Sequence, residues 1–458
     1  MRRGYRHGAT LRACAVSLAF GFLGAIIAPA VPPAPALAQA AAAPRPDEQT
    51  IRDAYLYLLG RLLVIRQEQM DREADGFAWN TIHYNPLGSA DFVNPNFDVA
   101  YLEAWLATDD DAGVLLEVPE VQGRYYTAQI LDEWGEVITN INERTFPSKP
   151  FGKFAFVKPG STVAVPPGAA RIELHSAKAK LLARVELKGD PDGALALQKK
   201  FKATPLGTVT PVPAPEVPGF DNKTLISVEA FDNVDAVLAS ALDVSPIAAA
   251  MQQKVRFVAD YAASGPEARA TVDTLLRDTV IPDFVKNGIA RSVAVRNGWA
   301  IGNLAGIYGS NFIRRTVGDY AGIWANTPDE VVYFSLVSDA AGKPVDGAKS
   351  YVIHFPANDL PTSVVDGYWS VILVGVPDYR VVPNPLKRYN FNSNSKLALE
   401  ADGSLKIGVG PKPVAGVPET NWLPSPQGQP FSLTFRAYVP KPAARQGEWT
   451  PPALTEVR

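Results

Sequence analysis

Apolar residues recur at three- and four-residue spacing through Ile51, Ala54, Tyr55, Leu58, Leu59, Leu62 and Leu63. This spacing predicts an amphipathic helix over 49–70, docked on a sheet. From residue 114 to 187 the pattern shortens to β-rich runs at 114–118, 124–131, 153–157 and 171–174, separated by Gly and Pro. Short strands at that spacing predict an antiparallel sandwich or barrel. Five prolines between Pro205 and Pro218 predict a stiff linker or surface loop. Helical character returns over 228–295, where Ser264-Gly265-Pro266-Glu267 has the form of a capping box. Pro282 is expected to kink or end that helix.

Beyond Asn326-Thr327-Pro328 the β pattern resumes at 331–337, 350–355, 369–376, 397–400, 405–409 and 431–439. Asp402-Gly403 between two of these runs predicts a hairpin. Within 350–355, alternation places Tyr351, Ile353 and Phe355 on one face and Val352 and His354 on the other. The expected fold is mainly β with helical segments: two antiparallel β-sandwich domains joined by a helical middle region. The expected divisions are a signal peptide at 1–40, an N-terminal helix plus sandwich at 48–207, a Pro-rich linker and helical region at 208–300, and a second sandwich at 301–458.

The first 40 residues read as a secretory signal. Arg2, Arg3, Arg6 and Arg12 precede an apolar stretch over 13–31, and Ala36-Leu37-Ala38 has the small-x-small form of a cleavage site. Cleavage would take the formal charge from −3 to −7 and leave about 418 residues without a cysteine, since Cys14 is the only one. Disulfides, thiolate metal sites and cysteine nucleophiles are thereby excluded from the mature chain. An acidic balance argues against nucleic acid as a partner. No second apolar run is long enough to span a membrane. The expected location is periplasmic or secreted, with no stable membrane insertion after cleavage.

Two polar-aromatic clusters carry the candidate chemistry. The first runs from Asn94-Pro95-Asn96-Phe97-Asp98 through Tyr101 to Gly123-Arg124-Tyr125-Tyr126 and Asp132. The second runs from His354-Phe355-Pro356 through Tyr368-Trp369-Ser370 to Asn384-Pro385, Arg388-Tyr389 and Asn421-Trp422-Leu423-Pro424. Together with Ala104-Trp105-Leu106, Thr204-Pro205-Leu206, Tyr308-Gly309, Ala325-Asn326-x-Pro328 and Asp402-Gly403-Ser404, these motifs resemble those of bacterial proteins that join domains of unknown function 1254 and 1214. The resemblance implies jelly-roll-like sandwiches with helices around and between them, and no established reaction. Val99-Ala100 and Leu102 stand where such relatives carry Thr, Leu and Ser, and Val374-Gly375 where they carry Tyr-Asp. This chain therefore lacks hydroxyls and an acid that its relatives have there.

Each candidate has a functional and a structural reading. Asp98 could accept substrate hydroxyls, ligate a hard cation or act as a base, or it could cap a local turn. Arg124 suits a carboxylate, supplied by Asp98, Asp132 or a ligand. Asp98 with Asp132 is the one separated carboxylate pair worth naming for glycoside chemistry. His83, His175 and His354 share no metal-ligand spacing, so no metal or other cofactor is implied by motif; His354 is the catalytic candidate among them. Trp369, Trp422, Tyr126, Asn96, Asn384 and Arg388 supply rings, amides and a guanidinium that suit a sugar or the corners of a sandwich. The leading expectation is an exported protein binding a small polar ligand or cell-envelope glycan. The alternatives are a hydrolase or metal-assisted enzyme using Asp98, Asp132 or His354, and an envelope scaffold; homo-oligomerisation is left open.

Overall fold

Strict alternation along the strand Lys178–Glu186 explains how the first β-rich region is layered. Ala179, Leu181, Ala183 and Val185 point into one apolar core, while Lys178, Lys180, Arg184 and Glu186 point the other way, and all are buried. The computed structural model describes residues 44–88 and 93–457. The expected signal peptide and Cys14 lie outside the described residues.

Lys178–Glu186 is the middle strand of a five-stranded antiparallel sheet ordered His83–Tyr84, Val99–Ala107, Lys178–Glu186, Tyr126–Leu131, Val137–Ile141. A four-stranded sheet, ordered Ala170–Glu173, Gly152–Val157, Gly113–Val118, Lys202–Leu206, shares its inner core through residues such as Val114, Leu116, Phe154 and Phe156. The second β-rich region repeats the plan. Its six-stranded sheet is ordered Val295–Arg296, Trp299–Gly302, Val331–Leu336, Phe431–Tyr438, Trp369–Gly375, Asn390–Asn392. Its four-stranded sheet is ordered Trp422–Pro424, Leu405–Gly410, Ser350–Phe355, Thr455–Val457. Tyr351, Ile353 and Phe355 enter the core between them, and His354 on the opposite face is exposed.

The fold is thus mixed α/β, with four open sheets in two β-rich regions and a helical middle. The jelly-roll expectation reaches further than the pairing does: among the described residues the four ladders remain separate, and no continuous hydrogen-bonding closes either region.

Helices fill the space between the outward faces of the two large sheets. Glu48–Glu73 is capped by Asp47, whose carboxylate accepts from Thr50 N at 2.7 Å. Its Leu58, Leu59, Leu62 and Leu63 are fully buried, at about 1.5–3 kcal/mol each. This helix is covered nearly all round, so that even Arg61 and Glu68 are fully buried, more than an amphipathic pattern predicts. Gly60 lets Phe312–Gly322 approach closely: a Cβ there would lie 2.9 Å from Thr316 Oγ1, which donates to Leu56 O.

Three local expectations fail. Ser264 ends the helix Ala248–Ala263, its hydroxyl donating to Tyr261 O, so Gly265 rather than Ser264 precedes Pro266–Leu275 and no capping box forms. Pro282 falls in the first turn of Ile281–Ser292, reached through a wide turn over Leu276–Val280, and the helical path continues across it. Asp402-Gly403 does make a turn, with Gly403 at φ +83°, but 397–400 is not a strand and no hairpin results.

Candidate functional site

The outward faces of the two large sheets mix apolar and polar side chains, and each presents an arginine from an interior strand. Arg184 stands in register with Tyr101 on one neighbouring strand and Thr127 on the other. Arg436 stands in register with Tyr333 and Ser370. Both arginines line one cavity of about 110 Å³ between the sheets, closed on another side by residues of Ile281–Ser292 and Phe312–Gly322. Tyr101, Tyr308, Tyr333, Tyr438 and Trp324 also line it.

The hydrogen-bond inventory of this lining is lopsided. Arg184 Nη2 donates to Trp324 O at 3.1 Å, but Arg184 Nε and Nη1 have no partner. Trp324 Nε1 and the Tyr308 hydroxyl are likewise unpartnered. These three side chains are 4 %, 2 % and 5 % exposed. Buried donors of this kind ordinarily find an acceptor, because leaving one bare costs about 1–3 kcal/mol. The phenols of Tyr333 and Tyr438 accept from Asn326 N and Asn96 Nδ2, so each keeps its own O–H to donate.

Electrostatics sharpen the contrast. Burial opposes the Arg184 charge, and the groups set around it are the neutral phenols of Tyr101, Tyr333, Tyr438 and Tyr125. No carboxylate is among them. Burial raises the phenols of Tyr308, Tyr333 and Tyr438, which stay protonated donors. Arg436 is committed differently: Nη2 donates to the Asn94 backbone oxygen at 2.6 Å and to Asn94 Oδ1 at 2.9 Å.

Next to this cavity the structure joins the two sequence clusters. Asn96 Nδ2 donates to the hydroxyls of Tyr368 (3.0 Å) and Tyr438 (2.7 Å), and Asn96 Oδ1 accepts from Asp98 N. Asp98 Oδ1 accepts from Asn390 Nδ2 at 2.6 Å and Asn392 Nδ2 at 2.5 Å, amides of the second region. Its Oδ2 has no hydrogen-bond partner; the Ser370 hydroxyl acts on it electrostatically without meeting hydrogen-bond geometry. Burial pushes this carboxyl up, against the pull of Asn392, Ser370, Arg436 and Asn390. Phe97 stacks on Tyr389 at 5.6 Å between centroids.

The other candidates lie elsewhere. Arg124 pairs with Asp190 at 2.7 Å, neither with Asp98 nor with Asp132. Asp132 holds His175 Nδ1 at 2.7 Å and accepts from the Trp134 and Glu136 N–H groups. Asp98 and Asp132 therefore have no partner in common. The Tyr126 hydroxyl donates to Pro150 O, and Trp369 stacks on Phe435 inside the second core. Trp422 donates to Gly410 O, Asn384 braces the Arg388 backbone, and Arg388 Nη1 donates to the carbonyls of Glu419 and Trp422. Among the described residues no group of three or more His, Cys, Asp or Glu could hold a metal ion, and no helix is long and apolar enough to cross a membrane.

Of the binding candidates named from the sequence, Tyr101 lines the cavity, as do Asn94 of the first cluster and Tyr308 and Ala325 of the family motifs. Arg184, Arg436, Trp324, Tyr333 and Tyr438 were not named as candidates. A usable signal existed for two of them: Arg184 closes the alternation Lys178-x-Lys180-x-Leu182-x-Arg184, and Arg436 is the single charge in the β run 431–439.

Comparison with known proteins bears on family and fold. Residues 79–205 match a protein of unknown function (DUF1254), and residues 330–442 match a protein of unknown function (DUF1214). Comparison with curated proteins gives no match. The crystal structure of the VPA0106 protein from Vibrio parahaemolyticus is similar over 90 % of this chain and 100 % of its own, at 20 % identity and a TM-score of 0.60. An uncharacterised protein from Burkholderia cenocepacia aligns over 89 % of this chain and 94 % of its own, at 14 % identity and a TM-score of 0.41. The first of these likenesses supports the fold alone. With both matches in chain order, the chain belongs to the proteins that carry DUF1254 and DUF1214 in tandem.

Proposed function

We propose that this protein binds a small polar ligand in the cavity between its two large sheets, each pair of sheets serving as a sandwich-like scaffold. The observation that carries the reading is that Arg184, Trp324 and Tyr308, each with an unpartnered buried donor, all line one cavity. A donor set left bare in the free protein and satisfied on binding gives polar discrimination. Trp369 and Trp422 are occupied within the fold, so they offer no open ring to a glycan. We place the binding beyond the inner membrane, on the leader-like residues 1–40.

The test is a thermal-shift and calorimetric panel of small acids, amides, phosphates and sugars against the purified protein and Arg184→Met. A ligand at a hundred times its dissociation constant stabilises by about 2.7 kcal/mol. Met keeps the apolar stem and removes a buried charge with no carboxylate partner, so the variant is expected to fold. Saturable stabilisation of the wild type that Arg184→Met loses supports the reading. A silent panel, or binding that the variant leaves intact, overturns it.

A further inference from the structure

We infer that the ligand is a small organic acid with a short apolar body, its carboxylate seated on Arg184. This rests on the cavity being the binding site, and it assigns the chemistry of what enters it.

Charge comes first. The lining contains three arginines, Arg184, Arg314 and Arg436, and neither Asp nor Glu. Each of the three donates to a backbone oxygen, and they differ in what else they meet. Arg314 Nε donates to Ser292 O at 3.3 Å. Arg436 donates to the backbone at Asn94, and its charge faces Asp98. Arg184 alone of the three has nitrogens that are both buried and unpartnered. A buried guanidinium without a counter-ion favours an anion.

The two lysines on the same face of the same strand show that the fold can neutralise such a charge. Lys178 Nζ meets Glu68 at 2.8 Å and Glu133 at 3.1 Å. Lys180 Nζ meets Asp71 at 2.7 Å and Glu103 at 2.6 Å. Where the same face reaches the cavity, the counter-ion is missing.

Hydrogen bonding points the same way. The free groups around Arg184, Trp324 Nε1 and the Tyr308 hydroxyl, are donors or can donate, and an ionised carboxylate is acceptor-only. A carboxylate uses every free N–H and O–H without leaving a proton of its own unplaced.

The remainder of the lining limits the body of the acid. Ile289, Val293, Val317 and Ala321 are apolar. An apolar cavity of about 150 Å³ takes up benzene, so 110 Å³ holds an acid of about four to six heavy atoms. Leu304 and Ile307, both exposed, flank the lining residues Ala305 and Tyr308 and put further apolar surface beside the cavity.

The experiment compares butyrate with acetate, butyramide, n-butanol, inorganic phosphate and N-acetylglucosamine by calorimetry on the purified protein, Arg184→Met and Ala321→Leu. Butyrate is expected to bind at least about tenfold more tightly than butyramide, the scale of one charge-assisted hydrogen bond. Arg184→Met should erase that preference. Ala321→Leu, which narrows the apolar end and leaves Arg184 untouched, should weaken butyrate more than acetate. Equal binding of acid and amide, or binding of phosphate or sugar alone, overturns the carboxylate assignment while leaving the cavity as the site if Arg184→Met still abolishes binding. Binding that neither variant alters, or none at all, overturns the cavity reading and this inference with it.

Discussion

Glu136 shows how burial gives one side chain a role that its position in the sequence does not suggest. It is 7 % exposed, and Oε2 accepts from Tyr308 N at 3.0 Å. Burial pushes its carboxyl up to about 7; the Tyr308 N–H opposes the shift and neighbouring Asp132 adds to it. His175 is raised chiefly by its hydrogen bond to Asp132. The two act on stability with the same sign. The folded protein holds the Glu136 proton where the unfolded chain has released it, so stability falls as pH rises from about 4.5 to about 7. The His175 contribution is present below its unfolded value near 6.5 and is lost as pH rises through the folded one. Melting temperature is therefore expected to fall between pH 5 and pH 8. Glu136→Gln should flatten the dependence below pH 7, by up to about 1.4 kcal/mol per pH unit. An unchanged slope in the variant would remove Glu136 as a source. None of this is legible in Gly135-Glu136-Val137, which reads as the edge of a turn; the long-range approach of Tyr308 creates it.

At the scale of elements, packing between distant segments decided what local pattern left open. The runs at 350–355 and 405–409 were legible because apolar residues alternate with others along them, and those at 114–118 and 153–157 because short β-rich runs stand between Gly and Pro. Val99–Ala107 and Lys178–Glu186, the backbone of the first large sheet, were not. Residues buried on both faces lose the clean alternation, and lysines at 178 and 180 read as solvent-facing until Glu68, Glu133, Asp71 and Glu103 arrive from elsewhere. The turn Asp132–Gly135 makes the point quantitatively. Gly135 has φ +82°, and a Cβ there would fall 2.2 Å from Asp319 Oδ1 on Phe312–Gly322. Gly135→Ala is expected to destabilise by about 3 kcal/mol or more, combining backbone strain with overpacking. Urea denaturation yielding less than about 1 kcal/mol would show that the helix yields easily.

For the whole molecule, the central core draws on both β-rich regions. It runs from Ile51, Leu59 and Leu63 on the first helix through Tyr101, Trp105 and Leu182 on one large sheet to Tyr368, Ile372 and Tyr438 on the other. Ala43–Arg458 behaves as one compact unit by its contacts. A fragment spanning 44–300 would expose the first sheet's charged outward face and half of that core. It is expected to show no cooperative thermal transition and a weak near-ultraviolet circular dichroism signal, whereas the whole chain unfolds in one transition. A sharp transition in the fragment would show that the shared core is dispensable.

The sequence by itself determined the β-rich ends, the helical middle and the tandem family motifs, because strand and helix periodicity are local and Pro, Gly and Asn punctuation is read directly. It also drew attention to Asn96, Asp98 and Tyr101, which the fold sets at or beside the cavity between the large sheets. Only the tertiary structure decided which polar face was covered, which lysines met carboxylates, and that Arg184 met none. Charge pairing depends on segments more than a hundred residues apart, such as Glu68 with Lys178 and Asp71 with Lys180. No window along the chain contains both partners, so an unpaired arginine becomes visible only when every other charge has been placed.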